Sequence, residues 1–253
     1  MSRDIGLLII GDEIMTGRRH DKHMTHAIQA LAQWGVAVSW VRYVGDEPAQ
    51  LVRQFEDVLS LRAICFSFGG IGATPDDCTR QAFASALNVP LERHPEAARL
   101  ILDQFGDDAY PHRIRMADLP AGATLIPNQF NAIPAFSCAD VHCLPGFPQL
   151  AWPMLQWVLN RHYGALRAPR RVHRGLILDG VRESELIDFI NTLMVNYPDV
   201  KISSLPQFLS DGGSRVELGV SGEPQVVGDC YDALKRVLAA AGYQFTEQQG
   251  EVQ

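Results

Sequence analysis

A chain of 253 residues with 47% hydrophobic and 20% charged side chains can build one large or two smaller cores, and this composition excludes a disordered or fibrous protein. A formal charge of -7 repels polyanions, so general nucleic-acid binding is not expected. No apolar run reaches the roughly 18 residues of a membrane span, and the acids inside MSRDIGLLIIGDEI do not suit a signal peptide, so a cytoplasmic protein is expected.

Ile5 to Ile10 is a continuous apolar run and predicts a buried parallel strand. It feeds the stretch G-D-E-I-M-T-G. Ligands of open α/β sheets lie beyond the carboxyl ends of strands, so Gly11, Asp12 and Glu13 are candidate ligand residues, with capping of a following helix as the alternative. A helix is predicted over His23 to Trp34, where Ala27, Ile28, Leu31 and Trp34 recur at helical period. His20, His23 and His26 recur every three residues and drift around such a helix, so they cannot share one metal. His23 at the helix head, with Asp21 and Lys22 beside it, is the site candidate, with a surface histidine as the alternative, and Lys22 offers a positive charge. Val36 to Val44 predicts a strand, Pro48 to Leu61 a helix and Ala63 to Phe68 a third strand, which makes a βαβαβ pattern.

The third strand runs into G-G-I-G-A-T-P-D-D-C-T. Gly69, Gly70 and Gly72 allow a sharp turn with exposed N–H groups, the means by which a loop holds phosphate oxygens at a helix start. The helix is predicted to begin near Asp76 and to end before Pro90, which puts Asp76 and Asp77 in its first turn; the helix dipole explains one of them better than two. Carboxylates beside a phosphate cradle repel the ligand unless a divalent cation, Mg, Mn or Co, lies between, or unless one acts as base or acceptor. Asp12, Asp46, Asp76 and Asp77, expected on one rim, are the metal candidates. The glycine spacing fits neither a P-loop nor a dinucleotide fingerprint.

Further along, a helix is predicted over His94 to Phe105, extended pieces at Ala123 to Ile126 and Asp140 to Leu144, and a helix over Pro148 to His162 that Pro153 should break, kink or delay. Cys138 and Cys143 fall on opposite strand faces, which disfavours a metal there. Five cysteines without a C-x-x-C pair support neither disulfides nor a zinc knuckle. Arg161, Arg167, Arg170, Arg171 and Arg174, interspersed with Gly164 and Pro169, predict a solvated linker, with anion contact as the alternative. Beyond it come a strand Val172 to Leu178, a helix Glu183 to Met194, strands Val200 to Leu205 and Arg215 to Val220, a helix Val226 to Ala240 and a strand Tyr243 to Thr246, the order of a ferredoxin-like unit. Glu183 and Glu185 are explained by the helix start, with a reach to the ligand as the alternative. The expected fold is a three-layer α/β/α domain with a mainly parallel sheet over residues 1–165, followed by a small ferredoxin-like α+β domain over 172–247.

The blocks G-D-E-I-M-T-G, V-G-D at Val44 to Asp46, G-G-I-G-A-T-P-D-D-C-T, L-P-A-G-A at Leu119 to Ala123, N-Q-F-N-A-I-P-A-F at Asn128 to Phe136 and L-P-G-F-P at Leu144 to Pro148 occur in one order. In these blocks the chain resembles the molybdopterin-binding domain family, which includes molybdopterin adenylyltransferases and the N-terminal domains of CinA and of eukaryotic FAD synthase. G-V-R-E-S-E-L at Gly180 to Leu186 is similar to the segment that CinA carries directly after this domain; the CinA amidohydrolase part is not expected in a chain that closes at Gln253. The resemblance implies a phosphorylated pterin or nucleotide as ligand, molybdopterin among them, and a homo-oligomer. It implies catalytic roles for Asp46 and Asp77, and ligand contacts from Gly69, Gly70, Gly72, Thr74, Asn128 and Pro134. The activity it implies is metal-dependent cleavage of a nucleotide diphosphate such as ADP-ribose or FAD. Adenylyl transfer to molybdopterin and a non-catalytic binding module are the alternatives. Departures from the family pattern are Ala73 for proline, Asn131-Ala132-Ile133-Pro134-Ala135 for G-T-A-P-G, and Asp21-Lys22-His23 for D-T-N; short standalone members resemble this chain in carrying D-K-H.

Overall fold

The structure, a computed structural model, describes residues 4–131, 133–167, 171–209 and 212–248. The chain divides into two compact units, one holding the residues up to Leu31 with Val36–Arg167, the other Ala32–Gly35 with the chain beyond Arg167.

In the first unit β1 (Ile5–Ile10), the short α1 (Asp12–Met15), α2 (His23–Ala32), β2 (Trp40–Val44), α3 (Pro48–Leu61), β3 (Ile64–Phe68) and α4 (Thr79–Leu87) follow in order. Then come β4 (Leu91–Arg93), α5 (Pro95–Phe105), β5 (Asp118–Pro120), β6 (Thr124–Ile126), β7 (Ala135–Cys138), β8 (Val141–Leu144) and α6 (Pro148–His162). The main sheet has the order β2-β1-β3-β8-β7-β6. β2, β1, β3 and β8 are parallel, whereas β7 runs against β8 and β6 against β7. All of β1 and β3 is buried, as expected of strands covered on both faces.

Alternation splits these strands between two cores. Leu8, Ile10 and Cys65 pack with Leu51, Phe55 and Val58 of α3, Phe83 of α4 and Ile101 of α5. On the opposite face, Phe68 stacks on His23 of α2, with ring centroids 4.6 Å apart. Each fully buried Leu, Ile or Phe stabilises the fold by about 1.5–3 kcal/mol, so β1 and β3 hold the sheet at the point where their loops leave it.

Several elements depart from expectation. β2 begins at Trp40 rather than Val36, because only Trp40 to Val44 pair with Gly6 to Ile10 of β1. α2 stops at Ala32, short of Trp34. The helix predicted from Asp76 starts at Thr79, whose N–H is taken by the Gly70 carbonyl at 3.0 Å, so Asp76 and Asp77 lie in the preceding loop. β7 and the β4–β5 pair are additions, being short strands without a long apolar run. α6 runs unbroken through Pro153: one missing amide does not end a helix whose face of Ala151, Met154, Leu155, Val158 and Leu159 is buried.

The second unit comprises β9 (Val172–Asp179), α7 (Ile187–Asn196), β10 (Lys201–Phe208), β11 (Ser214–Gly222), α8 (Pro224–Ala240) and β12 (Thr246–Gln248). Its sheet is antiparallel with the order β10-β11-β9-β12, the split βαβ arrangement, over a core that includes Leu176, Leu178, Val216, Leu218, Tyr231 and Leu234. Glu183–Glu185 form a 3-10 turn ahead of α7 rather than its first turn, with Glu185 bonded to Arg182. Both glutamates are spent locally or exposed at that turn. Of the arginine-rich stretch, Arg161 belongs to α6 and Arg174 to β9, while Pro169 and Arg170 lie outside the described residues.

Candidate functional site

The carboxyl ends of β1, β2, β3 and β8 and the β6–β7 loop lie on one edge of the main sheet, and most of the residues singled out by sequence gather there. At its centre is the turn from Gly69 to Asp77. Gly69 and Gly70 have φ of +109° and +67°, conformations that L side chains rarely adopt. A Cβ on Gly69 would also overlap the Ile10 carbonyl, and one on Gly70 the Thr79 hydroxyl.

The start of α4 pins this turn from beneath. Thr79 donates its Oγ1 proton to the Gly69 carbonyl at 2.9 Å and its N–H to the Gly70 carbonyl at 3.0 Å. Arg80 donates from Nη2 to the Gly72 carbonyl at 2.7 Å. In a trans peptide the carbonyl and the next N–H point in opposite directions, so these three bonds turn the N–H groups of Gly70, Ile71 and Ala73 away from the helix. Among the described residues those amides, and that of Gly72, bond to no protein group. A run of outward amides of this kind is an anion cradle.

Arg80 is only 3% exposed and was not singled out by sequence. It also donates to the carbonyls of Asp118, at 3.1 Å, and Arg115. All three acceptors are neutral carbonyls, so the guanidinium is a fixed positive charge under the loop, and burial lowers its pKa. The signal that would have found it is a cation three residues before Phe83, on the buried face of an amphipathic helix.

Asp77 closes the turn. Its Oδ2 accepts the Thr74 N–H at 2.9 Å and the Thr74 hydroxyl, and the Asp77 N–H returns to the Thr74 carbonyl at 3.1 Å. Asp77 is thus a brace for the loop, and the Thr74 hydroxyl is spent on it. Asp76 is exposed beside it.

Asp12 and Asp46 join the β1 and β2 loops reciprocally. The Asp12 N–H donates to Asp46 Oδ2 at 2.9 Å, and the Asp46 N–H to Asp12 Oδ1 at 3.1 Å. Burial pushes the Asp46 carboxyl above its ordinary pKa and the Asp12 amide works against this, while the charges of Asp12, Glu13 and Asp76 add to the rise. Glu13 itself pairs with Arg19 at 3.7 Å. Gly11 carries the chain out of β1 with its N–H on the Val44 carbonyl, at 3.0 Å.

The four aspartates therefore share the rim, but among the described residues no three Asp, Glu, His or Cys side chains form a ready metal cluster. What they fit is a Mg²⁺-type ion, which takes one or two carboxylates and fills its remaining positions with phosphate oxygens and water. The second oxygens of Asp12 and Asp46 suit that use, and the amide cradle suits the phosphate.

His23 is buried beside the cradle. Its Nε2 donates to the Gly146 carbonyl at 3.2 Å, burial lowers its pKa, and Asp21 accepts the N–H groups of His23 and Met24 to cap α2. Asp21 is also held by the Tyr43 hydroxyl at 2.9 Å. Lys22 is exposed, and His26 stacks on Trp152 instead of joining the site. Asn128 is engaged within its own loop, its amide N–H groups donating to Asn131 and the Ile133 carbonyl and its oxygen accepting the Phe130 N–H. Pro134 is buried, and Ala132 lies outside the described residues.

Residues 6–164 match the family model described as "Probable molybdopterin binding domain". A protein of Caldivirga maquilingensis is 30% identical over 249 residues, covering 93% of this chain and 95% of that one. A CinA-like protein of Anaeromyxobacter sp. is 34% identical over 155 residues, which are 58% of this chain and 38% of that protein. The crystal structure of CinA from Thermoplasma acidophilum, a protein of unknown function, matches with a TM-score of 0.58 and 26% identity over 62% of this chain and 98% of that one. No helix among the described residues is long and apolar enough to cross a membrane.

Proposed function

Because this chain belongs to the molybdopterin-binding domain family, in its CinA-type branch, we propose that the carboxyl edge of its main sheet binds a phosphorylated pterin or nucleotide and cleaves a nucleotide diphosphate of the ADP-ribose or FAD class. The observation that carries this reading is the run of amides from Gly70 to Ala73, turned outward by Thr79 and Arg80 beside the Asp12–Asp46 pair.

The cradle binds the phosphate oxygens and the buried Arg80 charge adds attraction without facing solvent, so the cradle holds anions without the flexible lysine of a P-loop. Asp12 and Asp46 would hold a divalent ion through their second oxygens, and that ion would supply charge neutralisation at the scissile phosphate. Asp46, whose Oδ2 holds the Asp12 N–H at the rim of the cradle, would either share the ion or take a proton from attacking water. Asp77 keeps the loop closed through Thr74. Three site roles thus follow from position: Asp46 acts on water or metal, the cradle orients the phosphates, and Asp77 is a positioning residue.

The test is release of AMP or phosphate from ADP-ribose, FAD and NAD with Mg, Mn, Co or no metal, comparing wild type with Asp46→Asn and Asp77→Ala. Metal-dependent release that Asp46→Asn abolishes supports the reading. Adenylation of molybdopterin by ATP without net hydrolysis would move it to the transferase, and ligand binding with neither activity would move it to a non-catalytic module.

A further inference from the structure

The L-P-G-F-P block between β8 and α6 borders the cradle without belonging to it. The Leu144 carbonyl takes the Gly69 N–H at 2.9 Å, and His23 donates from Nε2 to the Gly146 carbonyl at 3.2 Å. Gly146 lies close enough to Gly69 that a Cβ built on it would stand 3.5 Å from the Gly69 Cα. The next residue, Phe147, opens α6, and its carbonyl takes the N–H groups of Leu150 and Ala151, both at 2.9 Å. Backbone bonds thus hold this loop against the cradle, while the Phe147 side chain is 55% exposed. A phenyl ring held half in water forgoes much of the burial its size offers, and a second flat ring stacked on it would supply that burial.

Strand order gives the edge a direction. In the sheet β2-β1-β3-β8-β7-β6 neighbouring strands are about 4.8 Å apart, and the cradle leaves from β3. On one side, the loops of β1 and β2 carry Asp12 and Asp46, which hold each other's amides and offer carboxylate oxygens but no apolar surface. On the other side, one strand away, the loop that leaves β8 carries Phe147. Other rings at this edge suit a stacking role less well. His23 is buried against Phe68, Tyr43 stands on β2 with its hydroxyl held by Asp21, and Phe130 stands on the β6–β7 loop, beyond β8. A phosphorylated ring compound has its charged end and its flat end apart by a sugar or a short side chain. With the phosphate on the cradle, the acids lie to one side and the exposed phenyl ring to the other.

We propose that Phe147 is the platform on which the planar heteroaromatic ring of the ligand stacks, and so determines specificity for phosphorylated compounds that carry such a ring over sugar phosphates that lack one. The inference rests on the phosphate reading of this edge and adds to it the class of group attached to the phosphate. Stacking reads a π face and not a hydrogen-bond pattern, so a purine and a pteridine are both admitted.

The test is calorimetric titration of the full chain with ribose 5-phosphate, AMP and FMN, the last carrying a pteridine-type ring. Wild type should bind at least one of the two ring compounds about 10-fold or more tighter than ribose 5-phosphate, the increment of one ring stacked on an aromatic side chain. Phe147→Ala should bring that compound down to the level of ribose 5-phosphate and leave ribose 5-phosphate itself unchanged. Phe147→Trp should keep the increment, and Phe147→Leu, which keeps apolar bulk without a π face, should keep less of it. The bonds at this position are all backbone, so the variants fold, and an unchanged affinity for ribose 5-phosphate shows that the cradle is intact. Loss of the increment in either arm supports the platform, and the larger loss names the ring. Equal binding of all three compounds by wild type, or an increment that survives Phe147→Ala, overturns the inference and leaves the cradle standing. Failure of all three to bind overturns the phosphate reading and this inference with it.

Discussion

Replacing Arg80 with methionine isolates the buried charge beneath the loop. Arg80 is 3% exposed and donates to the carbonyls of Gly72, Asp118 and Arg115. Methionine fills most of the volume but leaves the Gly72 and Asp118 carbonyls without a donor, while the Arg115 carbonyl keeps the Asp118 N–H, at about 1–3 kcal/mol for each that stays unsatisfied. Relief of guanidinium desolvation and burial of the new side chain return part of that, about 1.5–3 kcal/mol for the packing alone. A net loss of about 1–3 kcal/mol follows, and at roughly 2–4 °C per kcal/mol for a unit of this size Tm should fall by about 3–10 °C. Differential scanning calorimetry measures it, and titration with ADP-ribose on the same samples should show a loss of affinity, because the Gly72 carbonyl is released and the Ala73 amide loses its aim. Arg80→Lys keeps the charge but not the fork, and should fall between the two. A variant Arg80→Met within about 2 °C of wild type and with unchanged affinity would refute the reasoning.

Gly70→Ala should cost about 1–2 kcal/mol from its φ of +67° alone, more for the overlap with the Thr79 hydroxyl, and a larger share of ligand affinity than of stability; chemical denaturation and calorimetry separate the two. Asp46 has a raised carboxyl pKa in the fold, so its ionised form opposes folding at neutral pH and its protonation favours folding as pH falls. Asp46→Asn should therefore be somewhat more stable than wild type at pH 7, with the gap closing through the carboxylate range in pH-dependent urea unfolding. His142 shows the reverse linkage. Its pKa drops from 6.5 to about 3, so wild type should lose stability progressively below pH 6.5, on the order of a few kcal/mol by pH 4, and His142→Gln should lose less over the same window.

The alternation of apolar runs and helical periods made the first unit legible as α/β, and the β-α-β-β-α-β order made the second legible as a split βαβ unit, because both are set by hydrophobic patterning. The failures lie where local hydrogen bonding overrides pattern. Asp76 and Asp77 look like first-turn acids, yet Asp77 reaches back to Thr74 and delays α4 to Thr79. Asn128 sits in a block that suggests a ligand contact, and its own loop takes both of its N–H donors and one bond to its oxygen. Gly69 and Gly70 of the cradle were readable because their φ suits only glycine; the three carbonyl bonds that aim the amides were not, since they depend on Arg80 and Thr79 meeting the loop in space. The hydrogen-bond chain Ser137–His142–Tyr163–Asp140 spans 27 positions of sequence and carries no spacing signal at all.

The central claim is that the amides of Gly70, Ile71, Gly72 and Ala73 receive a phosphate. The most direct measurement is a titration of ¹⁵N-labelled protein with ADP-ribose, following backbone amide shifts. We expect those four amides to move together and saturably, with Asp12 and Asp46 following when Mg is added. Shifts confined to other regions, or none at saturating ligand, would contradict the claim.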